Sequence, residues 1–336
     1  MNNYTMSNGG LSMRDGPIYL CDLFDFSTIT GVFFILVFIL SVIVNVLLLF
    51  VIFTYETLTN VTNLFVLNLA FSDLVFTSTL PFVATYYLHH WVFGDFLCKF
   101  VIAAYFVGLY SSVILLTAMT VDRFIIVVLH KWPNNYVRRQ RCAVVVCVAA
   151  WCISIGTSFV EAINVKATYQ QDTTMTCESI SQDDGFKLGA ILQLSLLFLL
   201  PFAIIVFCYC AILKTVLQCS NRKKYRTVVV VFCIVAAFFI CWGPYNVMVL
   251  FDGFETYEKC NVQQSFHIAY HICLILAYSH CCMNPLLYLL SQKLRKHLLH
   301  ILPCQVLRNK EEERGPTTVI QTAPQSSAVI LEMQAQ

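Results

Sequence analysis

The sequence from Cys98 to Arg123, CKFVIAAYFVGLYSSVILLTAMTVDR, is a long apolar run with a cysteine at one end and an Asp-Arg pair at the other. A helix rises about 1.5 Å per residue, so this stretch would span roughly 37 Å. The hydrocarbon core of a bilayer is about 30 Å thick. The stretch therefore predicts a membrane-spanning helix, with Cys98 just outside one face and an ion pair of Asp122 with Arg123 just inside the other.

The bulk composition is that of a membrane protein. The chain is 58% hydrophobic and 12% charged, whereas a soluble domain is about half apolar and about a quarter charged. Most of the 16 cysteines lie inside apolar runs, where they are typical of small packed side chains rather than of a disulfide scaffold. No Cys-x-x-Cys pair and no His/Cys spacing resembles a metal site.

Seven apolar runs of about membrane-spanning length follow one another along the chain. They are Gly31–Phe53, Leu64–Leu88, Phe100–Leu129, Ala143–Ile163, Leu188–Ile212, Val228–Phe251 and Phe266–Leu290. A helix satisfies its own backbone in lipid, an unclosed strand does not, and the alternating pattern of a transmembrane barrel is absent. The predicted fold class is an all-α membrane protein, with a seven-transmembrane helix bundle over residues 31–291.

The distribution of Lys and Arg predicts the orientation in the plasma membrane. Of these 21 residues, 16 follow the third, fifth and seventh spans, and such residues concentrate on the cytoplasmic side. We therefore expect residues 1–30 to form an extracellular N-terminal arm and the C-terminus to be cytoplasmic. The arm has no basic segment followed by an apolar one, so the first span is expected to serve as the targeting signal.

Two further segments are expected after the bundle. Residues 292–303 place apolar side chains on one helical face and basic ones on the others, which predicts a short amphipathic eighth helix on the inner leaflet. Residues 304–336 are polar and predict a disordered cytoplasmic tail. In that tail Cys304 is either an acylation site or a plain free thiol, and hydroxyl residues after an acidic run suit phosphorylation.

The extracellular segments are strongly acidic. They hold five basic and twelve acidic residues, a net charge of −7. A single surface acid is usually only solvated, but a face with this summed charge attracts a cationic ligand and speeds its encounter. The acids assigned to ligand binding are Asp22, Asp25, Glu161, Asp172, Glu178, Asp183 and Asp184.

Four cysteines lie in the extracellular segments: Cys21, Cys98, Cys177 and Cys260. The exterior is oxidising, so an even number predicts two disulfides. The sequence alone leaves all three pairings open.

Polar residues at the depth of the membrane centre predict a functional cluster. Asp73 is the only acid in the middle of a span, and Asn45, Ser112, His280 and Asn284 lie at comparable depth in other spans. Such oxygens could hold a small cation such as sodium together with water. A hydrogen-bond cluster that only fixes helix packing explains them equally well.

Two proline motifs predict hinges in the sixth and seventh spans. Cys241-Trp242-Gly243-Pro244 places a large indole next to a kink. Asn284-Pro285-Leu286-Leu287-Tyr288 places an amide beside a kink and a phenol one turn below it. Helices that swing about such hinges are what a two-state element requires.

Taken together, these motifs resemble those of the rhodopsin-like G-protein-coupled receptors, along Gly31–Leu302. The matches are Asn45, LAFSD ending at Asp73, Cys98, Asp122-Arg123, Trp151, Pro201, Tyr209, CWGP at 241–244 and NPLLY at 284–288. Within that superfamily the chain is similar to the chemokine receptors, through TLP at 79–81, WVFG at 91–94, HCCMNP at 280–285 and the outer cysteines Cys21 and Cys260. The closest resemblance is to the XC class, the lymphotactin receptors, through FVLNLAFSDLVF, GDFLCK, WGPYN and SHCCMNP.

The resemblance implies disulfides Cys98–Cys177 and Cys21–Cys260 and a basic chemokine as ligand. It implies that the ligand's flexible end enters a pocket lined by Tyr105, Glu161, Tyr245 and Tyr270. An activation switch would then comprise Asp122, Arg123, Tyr209, Trp242, Pro244, Asn284, Pro285 and Tyr288, and would expose Arg123 to a heterotrimeric G protein of the inhibitory class. Chemotaxis and calcium signalling would follow, with arrestin and receptor kinases at the tail. No nucleic acid and no enzymatic activity is expected, and Asn3 is a glycosylation sequon on the extracellular side.

Three departures from the family pattern keep an alternative open. Phe124 replaces the usual tyrosine after Asp-Arg, which motivates an atypical, scavenging receptor with weak or no G-protein coupling. Leu274 stands where many chemokine receptors carry a glutamate. Lys224 stands near the start of span six, where some relatives have an acid that would hold Arg123. A receptor for another peptide is the remaining alternative within the superfamily.

Overall fold

The computed structural model describes residues 26–129, 136–170, 174–179, 195–218, 222–252 and 260–289. The predicted amphipathic helix over 292–303, the tail over 304–336 and nearly all of the N-terminal arm lie outside these ranges. The described elements are α1 Ser27–Tyr55, α2 Val61–Thr77, α3 Leu80–Leu88, α4 Gly94–Val127, α5 Tyr136–Ile163, β1 Val165–Gln170, β2 Thr174–Ser179, a π-helical turn Ser195–Leu199, α6 Leu200–Gln218, α7 Arg222–Asp252, α8 Cys260–Tyr278 and α9 His280–Leu289.

The helices reproduce the predicted order of membrane spans. Five segments of the described chain are long and apolar enough to cross a membrane: Ser27–Tyr55, Val61–Leu88, Gly94–Val127, Tyr136–Ile163 and Val262–Pro285. Two shorter apolar helical stretches, Leu200–Thr215 and Val235–Leu250, fall on the fifth and sixth predicted spans. The architecture is consistent with a bundle of seven helical rods.

The membrane-spanning helix predicted from residues 98–123 is longer than expected and lies at the centre of the bundle. As α4 it runs from Gly94 to Val127, 34 residues, or roughly 50 Å. It contacts α2, α5, α6, α7 and β1. Its first residue, Gly94, has a φ of 73°, a left-handed conformation that glycine adopts without a steric penalty. The bend before α4 therefore depends on glycine.

The second and seventh spans are each divided into two helices. The second breaks between α2 and α3, just before Pro81, whose nitrogen has no hydrogen to donate. Hydroxyl groups bond to carbonyls around this break: Thr77 Oγ1 donates to the Asp73 carbonyl at 2.5 Å, and Thr79 Oγ1 to that of Phe76 at 2.7 Å. In the seventh span Ser279 separates α8 from α9 and donates to the carbonyl of Ile275 at 2.8 Å.

A hairpin that the sequence analysis did not predict connects towards the fifth span. Strands β1 and β2 pair antiparallel, from Val165 opposite Ser179 to Gln170 opposite Thr174. The segment was predicted only as a polar loop. The hairpin brings an ordered surface over the N-terminal end of α4, with which β1 is in contact.

Helices α2 and α4 approach each other closely at Gly108. A Cβ atom added to Gly108 would lie 2.7 Å from the backbone nitrogen of Phe76 and 2.9 Å from its Cα. Two hydrogen bonds flank this contact: Ser72 Oγ with Ser111 Oγ at 2.6 Å, and Trp151 Nε1 with Asn68 Oδ1 at 3.0 Å, which brings in α5. Small residues and buried hydroxyls of this kind are what allow helices to pack closely in lipid.

Candidate functional site

The hairpin is attached to the outer end of α4 by three separate contacts. A disulfide joins Cys98 to Cys177, as the family resemblance implied. The Asp95 carboxylate accepts a hydrogen bond from the backbone nitrogen of Ala167 at 3.0 Å. The backbone nitrogen of Trp91 donates to the carbonyl of Met175 at 3.0 Å. The hairpin is thus held as a fixed wall beside the opening between the helices.

Trp91 and Asp95 are structural residues that the sequence analysis did not single out. Trp91 is buried and its indole nitrogen donates to the carbonyl of Gly94 at 2.8 Å, which closes the bend before α4. Asp95 also forms an ion pair with Lys99 at 2.8 Å. The WVFG motif served above only to identify the family resemblance. Its combination of aromatic residues with a glycine also indicates a structured bend.

Below the hairpin, tyrosines from three helices form a connected aromatic cluster. The rings of Tyr245 and Tyr270 lie 5.7 Å apart. The rings of Tyr105 and Tyr278 are also 5.7 Å apart. Trp242 lies 5.8 Å from Tyr245 and 6.4 Å from both Tyr105 and Tyr278. The structure therefore brings together three of the four residues expected to line the ligand pocket.

Glu161, the fourth, lies elsewhere. Its carboxyl lies near Tyr110 of α4 and interacts with it. Tyr110 follows Tyr105 by five residues, so the two side chains leave α4 in directions roughly 140° apart. The structure does not bring Glu161 together with the tyrosine cluster. Leu274, at the position where many chemokine receptors carry a glutamate, is buried and apolar. The described residues expected to line the pocket beside it are therefore aromatic and uncharged.

Three of the five residues expected at the polar core are in direct contact. Asn284 Nδ2 donates to both carboxylate oxygens of Asp73, at 3.2 and 3.1 Å. Ser112 Oγ donates to Asp73 Oδ1 at 3.4 Å. All three residues are buried. Helices α2, α4 and α9 are thus joined through one carboxylate.

The other two polar-core residues are placed differently. Asn45 lies one step away: its Nδ2 donates to the carbonyl of Cys281 at 2.9 Å and to Ser41 Oγ at 3.1 Å. Ser41 in turn bonds Thr77 at 2.6 Å. His280 instead packs among aromatic rings, 4.7 Å from Phe76 and 5.3 Å from Trp242, and its Nδ1 bonds the carbonyl of Ala277. The expectation that His280 joins Asp73 is therefore corrected.

The C-terminal end of α4 carries an ion pair with a different partner from the one predicted. Asp122 is held by Arg139 of α5 through two hydrogen bonds, at 2.8 and 2.7 Å. Adjacent residues on a helix point about 100° apart, so Asp122 and Arg123 do not share a face. The prediction of an Asp122–Arg123 pair is corrected to an inter-helix pair, in which both side chains are largely buried.

The remaining predicted switch residues lie along α6, α7 and α9. Tyr209 is buried on α6, and its hydroxyl has no hydrogen-bond partner among the described residues. Pro244 and Pro285 lie inside α7 and α9, respectively. Tyr288 lies in α9, but its side chain is outside the described set, as is that of Lys224 in α7.

Several predicted residues cannot be placed. Asn3, Cys21, Asp22, Asp25, Asp172, Asp183, Asp184 and Cys304 lie outside the described residues, as does the side chain of Cys260. The Cys21–Cys260 disulfide therefore stays a prediction. Of the outer acids, Glu178 is exposed on β2 directly opposite Lys166 of β1, and opposite charges across a strand pair attract. The charge that Glu178 offers to a ligand is partly compensated.

Comparisons with known proteins point the same way as the geometry. A family model described as "7 transmembrane receptor (rhodopsin family)" matches residues 44–288. Chemokine XC receptor 1 of Homo sapiens is 39% identical over 277 residues, which cover 81% of this chain and 81% of that protein. C-C chemokine receptor type 8 of Homo sapiens is 33% identical over 281 residues, 81% of this chain and 78% of that protein. CX3C chemokine receptor 1 of Homo sapiens is 30% identical over 290 residues, with coverages of 84% and 81%.

Proposed function

Because the chain belongs to the rhodopsin family of seven-transmembrane receptors and, within it, to the chemokine receptors, we propose that it captures a basic chemokine at its extracellular face and activates an inhibitory-class G protein. As a member of this family it is a multi-pass receptor of the plasma membrane, and not an enzyme. Its membership confirms the resemblance read from the sequence. The identity of the ligand, the class of G protein and chemotaxis as the response belong to the proposal.

The orientation proposed is an extracellular N-terminus and a cytoplasmic C-terminus. The Cys98–Cys177 disulfide supports it, because such bonds persist on the oxidising side of the membrane. The distribution of Lys and Arg supports the same orientation independently. The hairpin, the acidic segments and the opening of the tyrosine cluster then face the same compartment as a secreted ligand.

The observation that carries the proposal is a continuous set of contacts from the outer cavity to the polar core. Tyr270 contacts Tyr245, Tyr245 contacts Trp242, and Trp242 lies 6.3 Å from Phe76. Phe76 is one turn from Asp73, which Asn284 holds from α9. A ligand that displaces Tyr245 or Tyr270 acts directly on Trp242, two residues before Pro244. Contacts that favour one packing of α7 then shift the population of receptor states.

Asp73 is proposed as a sodium site that favours one of these states. Supporting this, the buried oxygens Asn284 Oδ1 and Asn45 Oδ1 have no hydrogen-bond donor among the described residues. Together with the oxygens of Asp73 and Ser112 they supply the ligands that a small hard cation prefers. The ion would lie between α2, α4 and α9.

Screening purified chemokines, lymphotactin among them, for calcium release in transfected cells tests the core of the proposal. Lymphotactin is included because Chemokine XC receptor 1 is among the similar proteins. We expect at least one chemokine to release calcium. The same chemokine should lower cAMP, and pertussis toxin should block that decrease. A receptor that binds no chemokine at any concentration contradicts the proposal.

The aromatic floor is tested by Tyr245→Ala. The variant is expected to lose at least tenfold in potency for calcium release, because contact with Trp242 is lost, while capture at the outer surface persists. Val247→Ala is the matched control, since Val247 lies on the same helix with its side chain exposed on the outside of the bundle. Equal potency of the two variants would show that the tyrosine cluster takes no part in activation.

Electrostatic capture is tested on the outer acids. Exchanging Asp22, Asp25, Asp183 and Asp184 for asparagine is expected to weaken chemokine binding and flatten its dependence on salt, because screening acts on exposed charges. Unchanged, salt-independent binding would show that the acidic face plays no part.

An atypical receptor without G-protein signalling is the second candidate, motivated by Phe124. The ring centroid of Phe124 lies 5.8 Å from that of Phe207 on α6, so Phe124 occupies an apolar position. A tyrosine at this position would need a hydrogen-bond partner for its hydroxyl. A chemokine that is bound and internalised with no calcium or cAMP response would favour this candidate. Restoration of the response by Phe124→Tyr would assign the loss to this residue. Arrestin and receptor kinases are proposed to act on the tail in either case.

A further inference from the structure

Two histidines face each other at the extracellular end of α8. His267 and His271 are one helical turn apart, and their Nε2 atoms lie 3.3 Å from each other. His271 is buried, and His267 is half-buried and closer to the end of the helix.

The orientation of the inner imidazole is fixed from two sides. His271 Nδ1 lies 3.0 Å from Thr30 Oγ1 on α1, and the ring of Phe26 stacks on it at 5.9 Å and 24°. When Nδ1–H donates to Thr30, the lone pair of Nε2 points towards His267. Metal-binding histidines are commonly held in this way, by a second partner that sets their tautomer and direction.

The separation of the two nitrogens matches the geometry of a metal ion. Zinc binds imidazole nitrogens at about 2.0–2.1 Å in a tetrahedral arrangement, which places two such nitrogens roughly 3.3 Å apart. Two histidines four residues apart on a helix are a recurrent way of presenting such a pair. Among the described residues no group of three or more histidine, cysteine, aspartate or glutamate side chains could hold a metal ion, so the histidine pair is the metal-binding element that these residues offer.

We propose that His267 and His271 form a two-imidazole binding site for a divalent transition-metal cation such as Zn²⁺. The ion would lie beside the tyrosine cluster, since the ring of Tyr270 lies 5.8 Å from that of His271. It adds positive charge next to Tyr270, which the proposed function assigns to the ligand site. Under that proposed function, bound Zn²⁺ opposes binding of a basic ligand. The site itself does not depend on which ligand the receptor binds.

The competing explanation is a simple hydrogen bond between two neutral imidazoles, and a glutamine variant separates the two. Glutamine at position 267 still donates a hydrogen bond to His271 Nε2 but is a poor zinc ligand. The experiment uses the full-length receptor purified in nanodiscs and measures Zn²⁺ binding by competition with a fluorescent chelator. Thermal unfolding is recorded in parallel, because a bound ion raises the unfolding temperature with each increase in its concentration.

The wild-type receptor is expected to bind one Zn²⁺ at this site. His267→Gln and His271→Gln should each weaken that binding at least tenfold, with the unfolding temperature in chelator little changed for His267→Gln. Thr30→Ala should weaken it by on the order of tenfold, through the loss of the partner that orients His271. The double variant His89→Gln/His90→Gln is the matched control, because both side chains are exposed elsewhere on the outer surface; it should bind as the wild type does.

Two results would overturn the proposal. One is a wild-type receptor that takes up no Zn²⁺ and whose unfolding temperature does not respond to it. The other is Zn²⁺ binding that His267→Gln and His271→Gln leave unchanged, which would place the ion elsewhere. Neither result bears on chemokine signalling, which is measured separately.

Discussion

Replacing Gly108 with alanine introduces a single methyl group at the closest contact between α2 and α4. The added carbon would lie 2.7 Å from the backbone nitrogen and Cβ of Phe76, and 2.9 Å from its Cα. These atoms belong to the helix itself, so no rotation of a side chain relieves the overlap. Ordinary contact begins at 3.4 Å, so the two helices must separate by roughly 0.7 Å in a closely packed interior.

The expected cost follows from two opposing effects. Overpacking a well-filled core costs about 1–3 kcal/mol, and alanine regains up to about 1 kcal/mol over glycine within a helix. We therefore expect Gly108→Ala to lower the stability of the receptor by about 1–2 kcal/mol. The displacement also reaches the cavity, because the ring of Phe76 contacts those of Tyr105 and His280.

The assay is thermal unfolding of the purified receptor in one detergent, with surface expression recorded in cells. Gly156→Ala is the matched control: this glycine lies within α5, and a Cβ there would meet no atom within 4 Å. The control should be as stable as the wild type or slightly more stable, since only the helix propensity changes. If Gly108→Ala unfolds at or above the temperature of Gly156→Ala, the close approach of α2 to α4 is refuted.

Three other predictions concern single contacts. Asp122→Asn and Arg139→Gln should each destabilise the receptor, and a double-mutant cycle should give a coupling of about 1 kcal/mol; additive effects would mean that the pair contributes nothing. Trp151→Phe should cost about 1–2 kcal/mol in thermal unfolding, because Asn68 Oδ1 loses its donor, and an unchanged unfolding temperature would contradict this. Cys98→Ala should abolish high-affinity chemokine binding by releasing the hairpin, and binding at wild-type affinity would show that the disulfide is dispensable.

The membrane spans could be predicted from the sequence because lipid imposes one simple requirement on the chain. About twenty apolar residues are needed to cross it, and a helix must satisfy its own backbone. The interruptions inside the spans are set by finer detail. Pro81 indicates a break in the second span. The position of that break also depends on the hydroxyls of Thr77 and Thr79, which donate to carbonyls of α2.

The hairpin could not be predicted because its stability comes from other elements. The strands VKATYQ and TMTCES do alternate apolar and polar residues, and the apolar ones pack against Trp91 and Cys98. Each strand has only six residues, however, and so short a pattern does not show which surface the hairpin packs on. Their position is fixed by Asp95, by the backbone of Trp91 and by Cys98, all of which lie more than 70 residues earlier in the chain. Similarly, the partner of Asp122 depends on how α5 crosses α4, which hydropathy does not report.

Under the proposed function, the placement of contacts along α4 predicts which helices move during signalling. Cys98, Tyr105 and Ser112 are spaced by seven residues, nearly two helical turns, so they share one face. That face meets the hairpin, the aromatic cavity and Asp73 in succession, and the disulfide fixes its outer end. A helix held at one end by a disulfide and packed against several neighbours is poorly suited to shift. We therefore expect α7 and α9 to move, since they carry internal prolines and reach this face through Trp242 and, by way of Asp73, through Asn284.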